Sequence, residues 1–109
     1  MATTYKVLGQ VNPSATTPTT LYTVPSSTST VVSTITVANL GGSSATYRIS
    51  VRPAAAAQTN AMYIAYDVTV AANDTTTLTL GLTLATTDVI TVYASSATVA
   101  FNAYGSEIV

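Results

Sequence analysis

Between Tyr47 and Arg52 apolar and polar residues alternate: Tyr47, Ile49 and Val51 fall on one side of an extended chain, and Arg48, Ser50 and Arg52 on the other. That period of two is the signature of a half-buried strand, and Pro53, which has no N–H for a central ladder, ends it. The same pattern recurs along the chain. Thr30 to Asn39 is dominated by β-branched residues (Val31, Val32, Thr34, Ile35, Thr36, Val37), whose stiff χ1 angles suit a pleated surface. Leu40-Gly41-Gly42-Ser43-Ser44 then reads as a loop.

Ile64, Tyr66, Val68 and Val70 are expected to share an inward face, with Tyr63, Asp67 and Thr69 opposite. Leu78, Leu80, Leu82 and Leu84 alternate with Thr77, Thr79, Gly81 and Thr83, which puts the leucines in the core and the threonines outside. The turn formers Ala71-Ala72-Asn73-Asp74 between these runs predict that they pair as a hairpin. Val89 to Ala94 and Thr98 to Tyr104 complete the clear strands, while Lys6 to Val11 and Leu21 to Val24 are weaker ones beside prolines. Ala54 to Gln58 is too short for an independent helix and reads as a loop with at most one helical turn.

About eight short strands separated by regular turn signals predict an all-β fold: a single β-sandwich of antiparallel strands, jelly-roll or immunoglobulin-like. The expected core comprises Ile35, Val37, Ile49, Val51, Leu78, Leu80, Leu82 and Phe101. The Pro/Ser/Thr-rich stretch from Asn12 to Thr20 divides the 109 residues into an N-terminal segment, 1–20, and a sandwich domain, 21–109. The segment is expected to reach a neighbouring subunit as an arm, so that removing residues 2–18 leaves a folded domain that no longer binds its neighbours.

Composition narrows the function. Charged residues make up only 6% of the chain, against roughly 25% in an average soluble domain. Thr and Ser hydroxyls and protein partners must therefore cover the surface. With Lys6, Arg48 and Arg52 as the only cations and a net charge of -1, one copy cannot build the basic stripe that nucleic acid requires. The N-terminus lacks a cationic region followed by an apolar one, and no apolar run reaches the ~18 residues of a membrane helix. A soluble product made in a cytoplasm, with no nucleic-acid or membrane partner, is expected.

The chain has no Cys and no His, which removes thiolates, Cys/His zinc sites and the imidazole base. Its acids, Asp67, Asp74, Asp88 and Glu107, lie in different segments, so neither a paired-carboxylate site nor a calcium loop is expected. Asp74 and Asp88 are read as turn residues that accept backbone N–H bonds. Gly41-Gly42 lacks the Lys and helix start of a phosphate loop. No enzymatic activity, cofactor or metal is expected.

What remains are surfaces. Arg48 and Arg52 project from one side of their strand, toward acids on a neighbouring subunit or toward solvent. Exposed tyrosines supply contact area at low entropy cost and stack on sugar rings. The candidate interface residues are Tyr5, Lys6, Arg48, Arg52, Tyr63 and Tyr104, while Tyr47 and Tyr66 are assigned to the inside.

Several blocks taken in order, Tyr5-Lys6-Val7-Leu8-Gly9-Gln10, Leu21-Tyr22-Thr23-Val24-Pro25, Tyr47 to Pro53, Tyr63-Ile64-Ala65-Tyr66-Asp67 and Gly105-Ser106-Glu107-Ile108, carry a resemblance. The chain resembles small virion structural proteins of tailed bacteriophages, including phages of aquatic bacteria and cyanobacteria. The resemblance implies assembly in the host cytoplasm into a virion, with itself as a trimer or dimer and with the major capsid protein or other virion proteins as partners. Capsid decoration, in which a cement subunit is added to a finished shell, suits a small charge-poor domain. A tail fibre or baseplate component is the alternative, although the chain has no heptad or fibrous repeat for a shaft. A carbohydrate-binding host-attachment module is a further alternative, on the strength of the tyrosines.

Overall fold

The structure, a computed structural model, describes residues 2–109. Met1, the first residue of the expected N-terminal segment, lies outside the described residues. The strands are β1 (Thr3–Val11), β2 (Thr19–Thr23), β3 (Ser29–Asn39), β4 (Ala45–Arg52), β5 (Tyr63–Val70), β6 (Thr75–Leu84), β7 (Val89–Ala94) and β8 (Val99–Ile108). All the expected strands are present, most of them extended by one to four residues at an end.

They form two four-stranded sheets, in the orders β1-β8-β3-β6 and β2-β7-β4-β5. Every pairing is antiparallel. The pairs β1·β8, β2·β7, β3·β6 and β4·β5 are those of one long hairpin, rolled so that successive rungs alternate between sheets. That is a jelly roll; an immunoglobulin-like sandwich splits its strands differently.

Burial follows from the alternation. Ile35, Val37, Ile49, Ile90, Val92, Val99 and Phe101 are completely buried between the sheets, each contributing about 1.5–3 kcal/mol relative to exposure. The Tyr47 ring meets that of Phe101 edge-on from the opposite sheet, with centroids 6.2 Å apart. Of the expected core, Leu78, Leu82 and Val51 pack against this cluster half-buried.

Four expectations are corrected. The turn at Ala71–Asp74 forms, with the Asp74 amide bonded to the Ala71 carbonyl and Asn73 left-handed at φ 55°. It does not close a hairpin, because β5 and β6 lie in different sheets and the connection crosses the sandwich. Leu80 is 37% exposed: it belongs with Gly81 (φ +68°) to a bulge opposite Ser33, where the register steps from Val32↔Leu82 to Thr34↔Thr79.

Of the four residues expected inside on β5 only Val70 is buried: Tyr66, Ile64 and Val68 are exposed. Bulges at Ile64 and at Tyr66–Asp67, the latter with Asp67 left-handed at φ 51°, break the period of β5, so that Val70 and Ala65 face in while Tyr66 faces out. Finally, residues 3–11 are not a free arm. They form β1, paired with β8 from Thr3↔Ile108 to Val11↔Phe101. Gly9 of β1 approaches the Leu21 carbonyl so closely that a Cβ there would collide with it.

The ends of the sandwich are closed by side chains. Asn39, at the end of β3 and buried, donates through Nδ2 to the Ser43 and Val70 carbonyls and accepts through Oδ1 from the Gly41 amide and the Thr98 hydroxyl. One amide thus ties the β3–β4 loop to the end of β5 and the start of β8. At the opposite end Tyr22, Thr30, Glu107 and Lys6 form a connected polar cluster.

Candidate functional site

The six candidate residues separate into two groups of three, one on each sheet. Tyr5, Lys6 and Tyr104 line a shallow depression on the sheet β1-β8-β3-β6, with Val7, Val31 and Ser33. Arg48, Arg52 and Tyr63 line a second one on the sheet β2-β7-β4-β5.

The first surface follows from register. Val7 lies opposite Tyr104, Tyr5 opposite Ser106, and Ser106 opposite Val31, so all of these project from the same face. Tyr5 is 82% exposed, Val7 48% and Tyr104 37%. Gly105 sits between them because β3 passes too close for a side chain, and a Cβ there would overlap the Val31 carbonyl. Lys6 points elsewhere: its Nζ lies 3.2 Å from Glu107 Oε1.

Glu107 Oε2 accepts a 2.5 Å hydrogen bond from the Tyr22 hydroxyl, whose oxygen lies 2.8 Å from Thr30 Oγ1. Because Tyr22 donates to the carboxylate, Thr30 is the donor in the second bond. The hydrogen bond from Tyr22 holds the Glu107 carboxyl below its ordinary pKa, with Lys6 adding to the effect. Burial and the neighbouring carboxylate push the Tyr22 hydroxyl up to about 12.

The second surface is built on β4. Arg48 and Tyr93 face each other across β4 and β7. The Arg48 guanidinium carbon lies 4.4 Å from the Tyr93 ring centroid and 4.2 Å from that of Tyr66, which places the cation between two aromatic faces. Asp67 pairs with it, Nε to Oδ1 at 2.6 Å and Nη2 to Oδ2 at 3.3 Å. The carboxylate holds the guanidinium more firmly protonated than usual. Tyr63 meets Tyr66 edge-on, with centroids 4.8 Å apart. The row Tyr93–Arg48–Tyr66–Tyr63 exists only because the β5 bulges bring Tyr63 and Tyr66, of opposite parity in sequence, to one face.

Arg52 holds a different post. It donates from Nε to the Ala56 carbonyl, from Nη2 to the Ala55 carbonyl and from Nη1 to Thr91 Oγ1. The turn it clasps has Ala54 and Ala55 left-handed, at φ 52° and 57°, a conformation that costs about 1–2 kcal/mol per alanine. Asp88 holds the other side of that turn, accepting from the Ala54 and Ala85 amides. Neither arginine is therefore an unoccupied charge on a strand's outer face, and each is held by its own chain.

All seven charged side chains have partners of this kind, since Asp74 accepts from the Thr75 amide. Among the described residues no three His, Cys, Asp or Glu side chains come together in a metal-binding group. The side chains that the sequence left unassigned are Asn39, Tyr93 and Gln58. Asn39 stands at a strand end and carries no distinguishing pattern, Tyr93 enters a site only through strand order, and Gln58 only through the course of the β4–β5 connection. No protein-family model, curated protein or solved structure matches the chain.

Proposed function

We propose that the chain is a non-catalytic structural subunit of a virion, a capsid decoration protein that self-associates and adds to the assembled shell. The single observation that supports self-association is the exposed Tyr5–Val7–Tyr104 surface. It is apolar, continuous with the free edge of β1, and bordered by a Lys6–Glu107 pair that is already neutralised. Two such surfaces meet without like-charge repulsion, and covering them removes apolar area from water. The occupant is accordingly a second copy of this chain.

The virion assignment draws on the resemblance of the ordered sequence blocks. The jelly-roll architecture and the Thr- and Ser-covered, charge-poor exterior are in keeping with it. A cement subunit acts by many weak contacts made in parallel, so a small rigid domain repeated over a shell suffices. The assignment is tested by separating heads from tails of gradient-purified particles and measuring copy number by mass spectrometry. The expected result is a multicopy protein that fractionates with heads. Fractionation with tails, or absence from particles, overturns it.

A further inference from the structure

The depression on the sheet β2-β7-β4-β5 has no role in self-association through the opposite face. It encloses about 150 Å3 and is lined by Tyr63 and Tyr93, by Arg48 and Arg52, and by Gln58 and Thr91 among others. That volume is below the ~300–1,000 Å3 of drug-sized sites and suits a single ring.

Its hydrogen-bonding capacity is one-sided. A guanidinium has five N–H groups. Arg48 uses two on Asp67, which leaves three. Arg52 uses three on Ala55, Ala56 and Thr91, which leaves two. The Tyr63 and Tyr93 hydroxyls form no hydrogen bond among the described residues. Acceptors are largely spent: the Gln58 carbonyl oxygen accepts from Ser50, and both Asp67 oxygens are on Arg48.

Charge is one-sided too. Two arginines face the depression, and Asp67 neutralises Arg48, whereas Arg52 forms no ion pair among the described residues. The nearby Asp88 is committed to the Ala54 and Ala85 amides. Arg52 is fixed by three bonds before any ligand arrives, so little side-chain entropy remains to be lost on binding.

We propose that this depression binds an acidic sugar, one pyranose ring bearing a carboxylate, as a unit of a surface polysaccharide. The carboxylate takes the spare N–H groups of Arg52 in charge-assisted hydrogen bonds. The apolar C–H face of the ring lies on Tyr63, since the Arg48 guanidinium already covers a face of Tyr93, and the Tyr63 and Tyr93 hydroxyls meet ring hydroxyls. The row Tyr93–Arg48–Tyr66 stiffens the wall, and Arg48 acts there as a positioning residue.

The test is titration of the isotopically labelled full chain with trigalacturonate, read by amide chemical shifts, with fully methyl-esterified trigalacturonate as the neutral counterpart. The expected result is saturable shifts confined to residues around Tyr63, Thr91, Tyr93 and Arg52, with the ester at least about tenfold weaker. Arg52→Gln should abolish binding, and Tyr63→Leu, which does not touch the Arg52 clamp, should weaken it severalfold even if Arg52→Gln does not fold. Absence of saturation at ~10 mM, a weakest detectable affinity of about 3 kcal/mol, overturns the site. So does equal binding of the ester, or binding that survives Tyr63→Leu unchanged.

Discussion

The Tyr22 hydroxyl donates to Glu107 Oε2 at 2.5 Å, joining β2 of one sheet to β8 of the other. A phenol from one layer thus fixes a carboxylate of the other, and Thr30 and Lys6 complete the set. Replacing Tyr22 by Phe leaves the Thr30 hydroxyl and one Glu107 oxygen without their partner. The expected loss is about 1–3 kcal/mol of stability, measurable as a lower urea midpoint with unchanged slope.

The same cluster sets the acid response. The folded carboxyl of Glu107 titrates below its ordinary 4.5, so in that window the unfolded chain binds the proton more readily and stability rises with pH. The contribution is complete above about pH 4.5 and is lost as pH falls through the folded value. Tyr22 acts in the opposite sense: with its hydroxyl raised from 10.0 to about 12, its contribution is complete below pH 10.0 and lost as pH rises toward 12. Denaturant midpoints measured across pH should fall at both ends, and Glu107→Gln should flatten the acid end.

Asn39 gathers four hydrogen bonds from three chain segments. Asn39→Leu takes their side-chain partner from the Gly41 amide and the Ser43 and Val70 carbonyls, while the Thr98 hydroxyl keeps Ser96 Oγ. A loss of about 2–4 kcal/mol is expected from two or more unsatisfied groups, with hydrogen exchange accelerated first in the loops that Asn39 joins.

Glycines separate the close approaches from the open turns. Gly105→Ala drives a methyl into the Val31 carbonyl and should destabilise by about 1–3 kcal/mol or more. Gly42→Ala meets nothing within 4 Å and should be neutral. Equal melting temperatures for the two variants would contradict the close packing of β3 on β8 at Gly105.

Deleting residues 2–18 now has a different expected outcome from that of an arm. It removes β1 and exposes the length of β8 that β1 covers. The truncated chain should be unfolded or aggregated by circular dichroism and sedimentation. A cooperative, monomeric truncation product would restore the arm reading.

The strands were legible because alternation reports directly which residues share a side. Pairing was not, because the turn at Ala71–Asp74 has the same chemistry whether the chain folds back in one sheet or crosses to the other. Tyr66 and Leu80 were misplaced for a related reason: a bulge adds one residue and shifts the period, and in β5 no glycine marks the spot, since Asp67 itself adopts the left-handed conformation. The six surface residues were recognisable as chemistry. Their division into two faces depends on strand order, which no local pattern encodes.

Sedimentation velocity of the intact chain at tens of micromolar tests the assembly claim most directly, with the variant Tyr5→Ser, Val7→Thr, Tyr104→Ser measured beside it. The expected result is a defined dimer or trimer for the parent and a cooperatively folded monomer for the variant, with the parent's melting temperature the higher and rising with protein concentration. A parent that stays monomeric throughout, or a variant that keeps the parent's oligomer, would contradict self-association through the face formed by β1, β8 and β3.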